Sequence, residues 1–354
     1  MTTNSFDVLI LGGGPAGLST ALVLARVKRT ALVISNGFYR NDGIHEMHGV
    51  LGHDKWDPSD YRKESRKQIE AYGDDIQFQD AEIVKVGRAT LAGGYEGFEV
   101  EAKGGQSWSG KKLVLAMGSK DVFPDIPGYA ENWPDNIYQC LICDGRERAH
   151  LPFGAIGFPS PMHLAHVTMM RNLGGGDKAD VTVFTNGDLP QDDAPLQDAK
   201  KAAESLGIKF ESRKIKAYER ASAPDIGLDV CLEDGTKKRV AFIADKPPTV
   251  SVGEKMLVDG LGVEISKDPL GSFITRNEPF GSTSVKGCFV AGDAGMSLKQ
   301  VTMAVAHGVG AAAGAMRDLC TEEGEKALAA VKKTDVEGVE RTPTDATLCE
   351  KEGR

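Results

Sequence analysis

The chain has 354 residues, 41% of them apolar, and a formal net charge of −9. That length exceeds what one small core organises, so two domains are expected. The acidic balance argues against nucleic acid or an anionic membrane as partner, and no run approaches the roughly 20 apolar residues of a membrane span.

The first signal along the chain is a short apolar strand at 7–11, then Gly12-Gly-Gly-Pro-Ala-Gly17, then an Ala/Leu-rich helix at 18–27. Strand, glycine turn and helix in that order suit a dinucleotide pyrophosphate. Gly12 permits the tight turn, Gly14 lets backbone approach the phosphates, and Gly17 lets helix and strand pack closely. Pro15 and Ala16 complete the turn, and the helix N-terminus faces the anion. A second strand at 30–34 should end in an acidic residue for the adenosine ribose; Ser35 and Asn36 stand there instead, each able to hydrogen-bond a hydroxyl.

A strand at 113–118 ends in glycine, and a Pro/Gly-rich connector follows at 123–128. Then comes Cys140-Leu-Ile-Cys143-Asp144. Two thiols at this spacing close a disulfide with little distortion and trade electrons in pairs, though the same spacing also makes half a zinc site. A carboxylate next to the second cysteine is placed to move protons. A second nucleotide-type unit begins at Gly154-Ala-Ile-Gly157, with a helix at 161–173, a strand at 181–185 and a return connector at 245–248. Its turn reads Gly157-Phe-Pro-Ser-Pro161: Phe158 and Pro159 add bulk and the prolines remove N–H donors. No basic cluster follows the next strand to hold a 2′-phosphate; Gln191-Asp-Asp193 is acidic. The unit is therefore expected to be a scaffold that does not bind NADPH.

The segment 285–293 is a strand ending in Gly292-Asp293, leading through Lys299-Gln300-Val301 to an Ala/Gly-rich helix at 302–319. With the glycine turn and the central cysteine pair, it resembles the low-molecular-weight thioredoxin reductase family of FAD proteins. The resemblance implies a three-layer α/β fold of two Rossmann-like domains. The FAD domain is discontinuous, over 1–120 and 246–325; the inserted, degenerate NADPH-type domain at 121–245 carries the cysteines. It places Asp293 on the ribityl and pyrophosphate portion of FAD and the Lys299–Val301 turn at the flavin pyrimidine. In that setting the cysteine pair reads as redox-active. Cys140 is expected to face the substrate, Cys143 to lie by the flavin, and Asp144 to act as acid and base, its pKa raised if buried.

The segments Phe38-Tyr-Arg40-Asn41 and Met47-His48-Gly-Val-Leu-Gly52, with the degenerate second turn, narrow the resemblance. They are similar to the thioredoxin-reductase-like group that includes gliotoxin sulfhydryl oxidase and holomycin dithiol oxidase. Many members of that group carry histidine after the second cysteine; this chain has Asp144, as thioredoxin reductases do. The resemblance implies that Arg40, Asn41, His45 and His48 lie on a loop approaching the isoalloxazine. It implies a small-molecule dithiol substrate, O2 as electron acceptor and a homodimer. Two readings stay open beside this dithiol oxidase: a disulfide reductase fed by NADPH or an unusual donor, and a non-catalytic flavoprotein that sequesters a thiol compound.

His163 and His166 share a predicted helix face without a third metal ligand, so no metal site is expected. His307 is a candidate for the flavin side. Cys231, Cys288 and Cys320 read as packed or solitary thiols, and Cys349 as exposed in the tail. The chain enters its first strand within a few residues, which predicts no signal peptide. With a single close cysteine pair, a cytoplasmic enzyme is expected. Beyond about Leu319 the Glu/Lys-rich composition predicts a short helix, and 326–354 a partly disordered polar tail.

Overall fold

The computed structural model describes residues 5–339. Its largest sheet has seven strands. Ile76–Asp80, Ala31–Ser35, Ser5–Leu11 and Ser107–Leu115 run parallel in that order, and Cys288–Val290 pairs parallel to the last of them. The register brings Leu11, Ile34, Leu115 and Val290 level, so the parallel strands end together at one edge, where open α/β sheets bind ligands. Ser5–Leu11 is buried on both faces over its second half, as a covered parallel strand must be. Helices Pro15–Arg26 and Val301–Val339 cover one face, with Ala16, Ala21, Ala304, Ala311 and Ala315 in the shared core. Gly308 makes that approach possible: a Cβ there would stand 2.3 Å from the carbonyl oxygen of Ala16. Antiparallel strands Ile83–Leu91 and Tyr95–Ala102 extend the sheet.

A second sheet of five parallel strands runs Lys209–Glu211, Val181–Phe184, Phe153–Ile156, Ile243–Ala244 and Ile137–Tyr138. Residues of helices His163–Leu173 and Ala194–Ser205 join one core cluster against it; the antiparallel sheet Ile215–Arg220, Leu228–Leu232 and Lys237–Val240 contributes to another. The molecule thus contains two Rossmann-like α/β units. The chain crosses between their sheets twice, along strands Ser119–Asp121 and Thr249–Ser251, which pair antiparallel with Lys120 opposite Val250. A hydrogen bond of 2.6 Å from the Tyr129 hydroxyl to the Asp245 carboxylate ties the two connectors again.

The C-terminal helix departs from expectation. It does not end near Leu319 but continues to Val339, so the predicted tail begins as helix. After Leu319 the sequence is rich in Ala, Glu and Lys with no proline before Val339, so propensity carries the helix on. Ion pairs Arg29–Glu323 and Lys112–Glu322 fasten it to the sheet side. Residues 340–354, with Cys349, lie outside the described residues. Among the described residues no helix is long and apolar enough to cross a membrane.

Candidate active site

At the level edge of the large sheet the glycine turn opens onto the main cavity. Gly12 has φ +114°, and a Cβ on it would stand 2.1 Å from the Ala116 carbonyl oxygen; one on Gly17 would stand 1.9 Å from the Gly12 oxygen. These two glycines are forced by backbone contact. Gly14 is different: a Cβ there would meet nothing closer than Tyr39 Cδ1 at 4.0 Å, so its backbone faces open space. The helix that starts at Pro15 has no side-chain cap and no acidic residue in its first turn. Its uncapped N–H groups suit an anion. Pro15, Ala16, Ser35 and Asn36 line the same cavity. The Asn36 side-chain Oδ1 accepts from Phe38 N–H and Ser35 Oγ accepts from Gly37 N–H, bonds that shape the loop beside the turn.

Across the cavity stand Asp293, Lys299, Gln300 and Val301. Gly292 adopts φ +70° just before Asp293. Burial pushes the Asp293 carboxyl above its ordinary value, while Arg40 and Lys299 draw it back. Arg40 donates two hydrogen bonds to Asp121, at 3.0 and 2.6 Å, and its Nη1 lies 3.6 Å from Asp293. It thus spans the loop, the connector strand and the Gly-Asp turn. Lys299 is buried and donates to the carbonyl oxygens of Met296 and Asp293, so its charge holds the turn together. Asn41 lines the cavity and accepts from Arg62. An open glycine backbone, two helix N-termini and a half-buried carboxylate at opposite ends of one cavity fit FAD.

The cysteine pair opens onto this same cavity. Cys140 and Cys143 form a disulfide, with Cα atoms 5.2 Å apart. A one-turn helix, Leu141–Asp144, carries them: Leu141 is buried, Ile142 points out with 68% exposure, and Cys140 caps the turn by accepting from Cys143 N–H at 3.1 Å. Asp144 stands beside them, its carboxyl pushed up to about 6 chiefly by burial, with His48 and Arg148 lowering it and Glu147 raising it. His48 Nε2 lies 3.5 Å from Glu46 and 3.6 Å from Glu147, and both its ring nitrogens are buried without a hydrogen-bond partner.

Glu46, Asp121, Tyr138 and Glu147 were not anticipated, since each belongs to no motif and reaches the site through the fold, and Tyr39, inside the 38–41 segment, also lines the cavity. Three expectations are corrected. His45 is exposed and His307 lies beside Arg276 and Glu278, and neither lines the cavity. Phe158 does not crowd its turn: it is 1% exposed and packs edge-on against Phe210 with ring centroids 5.3 Å apart, because an aromatic side chain is more stable in that core than in a loop. Pro159 and Pro161 remain as positions without N–H donors. His163 bonds Ser160, and among the described residues no cluster could hold a metal. Cys231 and Cys288 are buried, while Cys320 accepts from Arg29.

Residues 6–308 match the pyridine nucleotide-disulphide oxidoreductase family. The chain is 35% identical to thioredoxin reductase tcpT of Claviceps purpurea, over 87% of this chain and 92% of that protein. Thioredoxin reductase sirT of Leptosphaeria maculans is 34% identical over 87% and 93% respectively. Among solved structures, HlmI superposes with a TM-score of 0.80 at 27% identity, covering 93% of this chain and 97% of that one. An oxidoreductase from Agrobacterium tumefaciens gives 0.77 at 31% identity, over 90% and 99%.

Proposed function

The chain belongs to the pyridine nucleotide-disulphide oxidoreductase family as a thioredoxin-reductase-like FAD flavoprotein, and from that premise we propose that it oxidises a small-molecule dithiol to its disulfide. The observation that carries this reading is the Cys140–Cys143 disulfide opening on the FAD cavity, carried by an inserted unit whose glycine turn has prolines at 159 and 161 in place of two N–H donors. On this reading the flavin unit spans 1–120 and 246–325, and the inserted unit 121–245.

A substrate thiolate attacks Sγ of Cys140, breaking the protein disulfide and forming a mixed one. Cys143 leaves as thiolate and is protonated by Asp144. The second substrate thiol, deprotonated in turn, attacks the substrate sulfur of the mixed disulfide; the product disulfide forms and Cys140 departs with a proton. Bound FAD supplies the two-electron acceptor for the resulting dithiol, with O2 as the final oxidant and H2O2 as its product. Gly14 and the Pro15 helix would hold the pyrophosphate of FAD, Asp293 its ribityl side, and the Gln300–Val301 helix end its pyrimidine, where a helix N-terminus would stabilise negative charge. We take the working unit to be a homodimer, tested by light scattering.

Anaerobic addition of a dithiol should bleach the flavin, NADPH should not, and air should restore the colour with one peroxide per disulfide. Bleaching by NADPH with no response to dithiols would overturn the proposal. A reductase is the second reading, favoured by the inward position of Phe158, which leaves its turn less obstructed than its sequence implies.

A further inference from the structure

Buried polar atoms almost always find partners, so an imidazole with two unpartnered nitrogens at a reactive site calls for a reason. His48 is such a group, with its side chain 13% exposed. On its inner side the cavity holds Cys140, Cys143 and Asp144. On its outer side stand two carboxylates from different segments, Glu46 on its own loop and Glu147 just past the cysteine turn, 54% and 44% exposed. The other groups facing this cluster are Arg148 and the buried Tyr138 hydroxyl, both acting on or near Asp144. A half-buried carboxyl beside a disulfide thus shares its cavity with an imidazole that is flanked by two exposed acids.

We propose that His48 is the proton relay of the cysteine pair, carrying protons between Asp144 and solvent by way of Glu46 and Glu147. The inference rests on the dithiol exchange proposed above and adds the route its protons take. In that exchange one sulfur–sulfur bond breaks and one forms, two protons leave substrate sulfur and two arrive on Cys140 and Cys143. Asp144 gives a proton to Cys143, takes one from the second substrate thiol and gives one to Cys140, so it ends one proton short, and the proton released by the first substrate thiol has to return to it. Histidine is the side chain suited to this near neutral pH.

The test needs neither oxygen nor the natural substrate. The holoenzyme is mixed anaerobically with dithiothreitol, quenched in acid, alkylated and read by mass for free Cys140 and Cys143. His48→Gln should keep its FAD and slow the exchange by about 10-fold or more, with a larger solvent deuterium effect than the unaltered protein. His48→Ala should be slow and should recover in proportion to added imidazole base, a response that a packing role does not give. If His48→Gln does not fold, the pair Glu46→Gln and Glu147→Gln, changed together at exposed positions, should slow the exchange severalfold. An unchanged rate and pH profile in His48→Gln, or in the paired variant where it stands in, or indifference of His48→Ala to imidazole, overturns the relay. So does loss of FAD from His48→Gln with exchange intact, which would make His48 a flavin contact. Absence of oxygen uptake in the unaltered protein, with the imidazole response present, would defeat the oxidase reading and leave the relay standing.

Discussion

Asp144 holds its proton to about pH 6 because burial penalises the carboxylate. Since its ordinary value is 3.8, the folded protein binds more protons than the unfolded chain between the two values, so ionisation at neutral pH costs stability. Asp144→Asn should therefore raise unfolding stability at pH 8 by about 1–2 kcal/mol, with the gain fading as pH falls through 6 and absent below 4. Urea midpoints across that range check it, and a destabilised variant at pH 8 would refute it. The same variant should slow dithiol exchange by about 100-fold. Cys140, Cys143 and Asp144 were legible because their chemistry is compressed into adjacent positions. The pairs Arg40–Asp121 and His48–Glu147 were not, because their partners stand far apart along the chain and meet only through the fold.

The glycine turn and the C-terminal helix are the elements that shape the cofactor cavity, and both act through small residues. Gly17→Ala would drive a Cβ into the Gly12 carbonyl, and Gly308→Ala would drive one into that of Ala16. Each should be purified with less FAD than the unaltered protein, Gly17→Ala most of all, as the flavin-to-protein absorbance ratio will report. Full FAD content in both would mean the backbone yields more easily than these contacts imply. Farther along the helix, Lys112 is 2% exposed and donates to Glu322 at 2.6 Å and to Tyr95 at 2.9 Å. Lys112→Ala leaves the half-exposed Glu322 without its cation and should cost about 2 kcal/mol in urea unfolding, below the range for a fully buried pair. Strand, glycine turn and helix start were readable because each is set by local backbone demands. The short helix expected beyond Leu319 proves continuous with the one before it, because composition, not an explicit stop signal, marks that stretch. Strands Ile83–Leu91 and Tyr95–Ala102 carry no motif and went unassigned.

Across the whole molecule, the two units meet through paired connector strands and the Tyr129–Asp245 bond. Burial raises the Asp245 carboxyl and the tyrosine hydroxyl holds it down, so Tyr129→Phe removes a donor from a buried acid. It should cost about 1–3 kcal/mol and make residues 122–128 and 245–248 more sensitive to limited proteolysis. Unchanged cleavage would show that the strand pairing alone holds the connectors. The two-unit layout was foreseeable because each Rossmann-like half announces itself with a strand running into glycine. That the disulfide looks into the first unit's cavity was expected from the family resemblance alone, since orientation between units is settled by long-range packing with no local period.

Phe158, turned inward beneath the second glycine turn, has one more consequence. It is a pillar rather than a plug: trimming it to glycine would hollow the inserted unit before it widened any loop. On the proposed oxidase reading, what this turn lacks is main-chain N–H groups at Pro159 and Pro161, and trimming Phe158 would restore neither.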